Sequence, residues 1–114
     1  MLITLSPSKG QDFETPSLSK THSKPVSLKD SELLIRDLRK IKQQDIQELM
    51  SVSENIAKLT ADRYRSFKTP FTPKNAKQAI FAFKGDVYSG IDIEKYREAD
   101  LKYAQNHLRI LSGL

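Results

Sequence analysis

Cysteine is absent and histidine occurs only twice, at His22 and His107. The first absence excludes a disulfide scaffold and every thiolate metal site, and the second leaves little for a zinc or copper shell. No stretch approaches the roughly 18 consecutive apolar residues of a membrane span. Met1 to Leu5 also lacks the basic and long apolar regions of a signal peptide, so the sequence reads as cytoplasmic, with no membrane partner. Neither an internal repeat nor a low-complexity tract is present. The 114 residues, with 38% hydrophobic and 29% charged side chains, suit a modest core and one domain at most.

The formal net charge is +5, and its distribution is uneven. Between Asn55 and Lys84 stand Lys58, Arg63, Arg65, Lys68, Lys74, Lys77 and Lys84 against one acid, Asp62, so that segment alone carries +6. Tyr64, Phe67, Phe71, Phe81 and Phe83 are interleaved with these cations. A surface that follows a phosphate backbone needs such a cluster, because each cation displaces a condensed counterion. A solvated basic face has the same composition, and charge patterning by itself leaves both readings open.

Short elements are expected along the chain. Leu2, Ile3 and Leu5 form a β-capable run that ends at Ser6-Pro7. Residues 10–27, with Gly10, Pro16 and Pro25 among Ser, Thr and Lys, read as a surface loop whose order must come from partners elsewhere. Leu34, Leu38 and Ile41 predict an amphipathic helix from about Leu28 to Ile41, with Ser27 and Asp30 in capping positions. From Gln43 to Phe67 several short helices are expected, one capped in Ser51-Val52-Ser53-Glu54 and another starting at Thr60. A phosphate-gripping helix-hairpin-helix can be built here, but its usual glycine is missing, which favours a plain helical corner.

Thr72-Pro73 predicts a helix from Pro73 to about Gln78. Ala79 to Phe83 is apolar on both faces and fits either a buried strand or a buried helix end, and Lys84-Gly85-Asp86 breaks it. Asp92 is a candidate cap for another short helix. Ala99 to His107 reads as a helix and Leu108 to Leu111 as a final strand with nothing after it to cover it. The fold class is α/β, a mixed α+β arrangement of short strands with several short helices.

Two polar groupings carry possible chemistry. Ser6-Pro7-Ser8-Lys9 follows a strand end, where ligands commonly bind in α/β sheets, but it lacks the glycines of a P-loop. Ser6 with Lys9 is a possible nucleophile and base, and a turn explains the same spacing. Lys84, Asp86 and Tyr88 set a cation, an acid and a phenol close together, again in a pattern that a turn explains. If the first strand, the Ala79–Phe83 run and the last strand are sheet neighbours, Lys9, Lys84 and Asp86 converge with Asp86 orienting the lysines. Tyr88, Tyr96 and Tyr103 can stack on bases or lie partly buried.

Several blocks together resemble the bacterial YaaA family. They are Met1-Leu2-Ile3 with Ser6-Pro7-Ser8-Lys9, Phe71-Thr72-Pro73 with Asn75-Ala76, Gln78-Ala79-Ile80, Ala82 to Tyr88 with Gly90, and His107-Leu108-Arg109 with Leu111-Ser112-Gly113-Leu114. Leu49-Met50, Ser53 and Ala57 fit between them. Ser8 departs from the alanine common in that family, whereas Lys9 is retained. The resemblance implies a cytoplasmic peroxide-stress protein that helps to limit free intracellular iron, with a positively charged cleft that binds DNA. It also implies that residues 1–114 are the N-terminal portion of a larger domain whose remainder follows Leu114 and covers apolar surface left open here. The leading expectation is non-sequence-specific duplex DNA binding by Lys9, Arg63, Arg65, Lys74, Lys77, Lys84 and Arg109, with Ser6, Ser8, Asp86 and Tyr88 as polar residues of the cleft. No cofactor, metal or catalytic residue is assigned. The alternative is an enzyme acting on a phosphorylated or nucleotide-like ligand through Ser6, Lys9, Lys84 and Asp86.

Overall fold

The computed structural model describes residues 1–112. They form two compact units, one made of Met1–Ser23 together with the chain from Ala76 onward, the other of Lys24–Asn75.

In the second unit, α1 spans Leu28–Leu38, α2 Gln43–Met50 and α3 Glu54–Ser66. Helix α1 buries Ser31 and Ile35. Ser27 takes part through its carbonyl, which accepts from the Ser31 amide and hydroxyl, and its side chain does not cap. The helix stops at Leu38, short of the expected Ile41. There Arg39 turns its guanidinium to the end of α3, donating to the carbonyls of Tyr64 at 2.8 Å and Phe67 at 2.6 Å. A cation at that position meets the negative end of the helix dipole and satisfies carbonyls that have no partner in the helix.

Helix α2 closes on a Schellman loop: the Ser51 amide donates to Glu48 and the Val52 amide to Gln47. Ser51 holds a left-handed φ of 51°, where glycine is the usual occupant. Ser53 then caps α3, its hydroxyl accepting from the Ile56 amide. The helical corner expected from the missing glycine is the arrangement found. Ile46 is buried against the small faces of Ala57 and Ala61, with Ile41, Met50, Val52 and Tyr64 around them. Alanines at this spacing let the two helices approach closely. No helix begins at Thr60, which lies inside a continuous α3 and whose hydroxyl donates to the Ile56 carbonyl one turn back.

The helix expected at Pro73 is a turn instead. The Asn75 carboxamide accepts from the Thr72 amide at 2.7 Å and donates to the carbonyls of Lys68 and Pro70. Local side-chain bonding of this kind competes with helix formation. Phe67 and Phe71 meet edge to face inside the same loop.

In the first unit, β1 (Ile3–Leu5) pairs in parallel with β2 (Leu108–Ile110), in the register Ile3 with Leu108, Thr4 with Arg109 and Leu5 with Ile110. The last strand, expected to stand alone, therefore has a partner at the opposite end of the sequence. The Ala79–Phe83 run is neither a sheet neighbour of β1 nor a strand: α4 is one helical turn, Ala79–Ala82, and only Phe83 is extended, bridging Gln11. Phe81 and Ala82 are buried. Helix α5 (Asp86–Ser89) follows, then a 3₁₀ turn at Ile93–Lys95 and helix α6 (Glu98–His107). Asp92 precedes the 3₁₀ turn without capping it and pairs with Lys95 instead.

The loop from Gly10 is held by partners distant in sequence, as expected. Gln78 donates to the carbonyls of Ser19 and Thr21 and accepts from the Ser17 hydroxyl. Glu98 accepts from the Ser19 hydroxyl at 2.5 Å and from Thr21. These bonds explain how Ser19 is buried without an unsatisfied polar atom.

Candidate nucleic-acid interface

The Ser6–Asp12 segment and the Lys84–Tyr88 segment lie side by side in the first unit. The Lys84 amide donates to the Gly10 carbonyl at 3.0 Å, and the Asp12 amide to the Ala82 carbonyl at 2.7 Å. Below them, the Tyr88 hydroxyl donates to the Ser6 carbonyl at 2.6 Å, and the Tyr88 ring packs on Phe83. Tyr88 is buried, which pushes its phenol pKa up and keeps it a donor. Its expected place in the cleft becomes a place under the loop. Ser8 is also structural in part, since its hydroxyl accepts from the Gly10 amide and stands against Gly85.

The acid that accompanies the lysines is Asp12, not Asp86. Asp12 Oδ2 lies 3.7 Å from Lys84 Nζ, and Lys77 Nζ donates to the Asp12 carbonyl at 2.8 Å. Hydrogen bonds from Thr15 and Glu14 hold the Asp12 carboxyl far below the usual carboxylate range, with the charge of Lys77 assisting. The sequence offers a weak signal for this residue, an Asp in a polar loop, where the side chain can close an Asx turn on the amide two residues on, here Glu14, with Thr15 donating as well. Asp86 is exposed, and among the described residues it has no ion pair.

The expected cations belong to two groups. Lys9, Lys77, Lys84 and Arg109 lie in the first unit, and Arg63, Arg65 and Lys74 in the second. Lys9, Lys84 and Lys74 are exposed. Lys77 is half-buried and held by Asp12. Arg109 donates to the carbonyls of Gln105 and Leu108, both at 2.7 Å, so its guanidinium is folded against the end of α6. Arg65 pairs with Asp62 at 3.0 Å across one helical turn, an exposed pair that a phosphate can readily replace. Lys58 and Lys68, also exposed, extend the basic stretch in the second unit. Among the described residues no three His, Asp or Glu side chains gather as an ion would require, and no helix is long and apolar enough to cross a membrane.

A family model described as peroxide stress protein YaaA matches residues 1–114. The chain belongs to the YaaA family. Its match to a UPF0246 protein of Burkholderia lata is 49% identical over 114 residues, covering 100% of this chain and 44% of the relative. UPF0246 proteins of Burkholderia orbicola and Burkholderia cenocepacia are each 48% identical, with the same coverage. The chain thus spans less than half the length of these YaaA relatives. Gly113 and Leu114, which complete one of the blocks resembling YaaA, lie outside the described residues.

Proposed function

We propose that this YaaA protein serves the peroxide stress response in the cytoplasm as a non-sequence-specific duplex-DNA-binding protein. The carrying observation is the confinement of charge: residues 55–84 hold +6, and Lys58, Arg65, Lys68, Lys74 and Lys84 of that stretch are exposed. Exposed lysines neutralise phosphates as point charges and release counterions, which gives affinity without reading bases. Lys9 adds an exposed cation beside the Lys84 loop. In the complete protein we assign limitation of free iron to the same response, as an indirect effect that calls for no iron ligand on this chain. Fluorescence anisotropy of labelled duplex DNA, titrated at several salt concentrations, tests the reading. Affinity should fall steeply with salt, with a logarithmic slope of about 0.9 for each phosphate neutralised, and unrelated sequences should bind alike. Binding independent of salt, or none, overturns it.

The contact of the Ser6–Lys9 and Lys84–Asp86 segments favours a second reading, an enzyme acting on a phosphorylated or nucleotide-like ligand. Ser6, Lys9, Lys84 and Asp86 would then be its polar residues. Phosphate or nucleoside release from such compounds, abolished by Lys84→Ala, would decide for it.

A further inference from the structure

The sheet of the first unit is a parallel pair with three residues in each strand. Parallel strands are found almost only where both faces are covered, and two strands alone are marginal in water. Among the described residues such cover is lacking. Met1 is 97% exposed, Leu2 58%, Ile3 44% and Leu111 64%. By strand alternation residues 2 and 4 share one face with residues 109 and 111, so two leucines stand on an open face beside Thr4 and Arg109. β2 is the better protected strand, with Leu108 and Ile110 half-buried and α6 leading directly into it. The free edge with exposed apolar residues is therefore that of β1.

We infer that a further strand, supplied by polypeptide that YaaA proteins carry beyond the region matched here, adds to the free edge of β1 and brings apolar cover for Leu2, Ile3 and Leu111. The relatives supply the material for it, since this chain accounts for only 44% of their length. An edge strand offers a row of unpaired N–H and C=O groups, and an added strand satisfies them while its side chains cover the apolar ones. This inference is independent of DNA binding.

Residue-resolved hydrogen exchange on the full-length Burkholderia lata relative tests it. In a strand with one neighbour, alternate amides point to the open edge and exchange quickly, whereas a strand paired on both sides is protected at every residue. The positions matching Ile3, Thr4 and Leu5 should all be protected in the relative. In the 114-residue chain alternate ones should exchange on the order of 100-fold faster. Alternating protection in the relative overturns the proposal, whether or not the short chain folds. Uniform protection in the short chain with sedimentation as a dimer also overturns it, by assigning the edge to a second copy.

Discussion

A Cβ built on Gly85 would stand 3.1 Å from the hydroxyl oxygen of Ser8. Gly85 also has a φ of 123° with ψ near 178°, a backbone region that is essentially closed to other residues. The Ser-Pro-Ser-Lys and Lys-Gly-Asp segments therefore fit together only with glycine at this position. Gly85→Ala should lower stability by about 1–3 kcal/mol in urea unfolding. Adding Ser8→Ala removes the steric part but leaves the backbone strain, so the double variant should recover only a fraction. Full recovery would show that crowding alone fixes the residue.

Tyr88 supports the same loop from beneath. Tyr88→Phe keeps the ring against Phe83 and removes the bond to the Ser6 carbonyl, at an expected cost of about 1–2 kcal/mol. Spectrophotometric titration of the parent protein should show one tyrosine ionising above the others, and this late step should vanish in the variant. An unchanged titration would mean that Tyr88 is not the shielded phenol.

Local chemistry explains which parts of this fold are readable in the sequence. Ser53 caps α3 through its own helix's amide, and the corner before it follows from short-range turn preferences, so both could be expected from residues a few positions apart. The mixed architecture, the terminal strands and α6 were legible for the same reason. The turn at Thr72–Asn75 was not, because Thr72-Pro73 is a sound helix start until the Asn75 side chain takes the Thr72 amide. The Ala79–Phe83 run has no periodicity, and only its contact with Gln11 and Asp12 decides where helix gives way to extended chain. Asp12 was missed because its significance depends on Lys77 and Lys84, which lie far away in sequence. The meeting of the Ser6–Lys9 and Lys84–Asp86 segments was expected, though from sheet adjacency; it arises from a bridge and loop hydrogen bonds instead.

The left-handed Ser51 offers a test in the second unit. Glycine at that position adopts the same φ without the Cβ penalty, and the Schellman bonds from Ser51 and Val52 do not involve the side chain. Ser51→Gly should raise stability by about 1 kcal/mol and the melting temperature by several degrees. A destabilised variant would point to a contact of the serine hydroxyl that matters more than the backbone.

Asp12 gives the first unit an acid limit. Its carboxylate accepts the amides of Glu14 and Thr15 and stands near Lys84; ionisation strengthens the two hydrogen bonds and is required for the ion pair. The folded-state pKa lies below its ordinary value of 3.8. A depressed carboxylate contributes stability that is fully present above the unfolded pKa and is lost as the pH falls through the folded value. The turn should therefore persist at pH 4 and yield only in stronger acid, visible as an upfield movement of the Glu14 and Thr15 amide resonances. Asp12→Asn retains an acceptor oxygen for both amides but not the charge, so the same resonances should stay flat across that acid range. The Asn variant also frees Lys84 from its ion pair. If Lys84 contacts phosphate, DNA affinity should rise modestly in Asp12→Asn and fall in Lys84→Ala, whereas equal affinity in both would remove Lys84 from the interface.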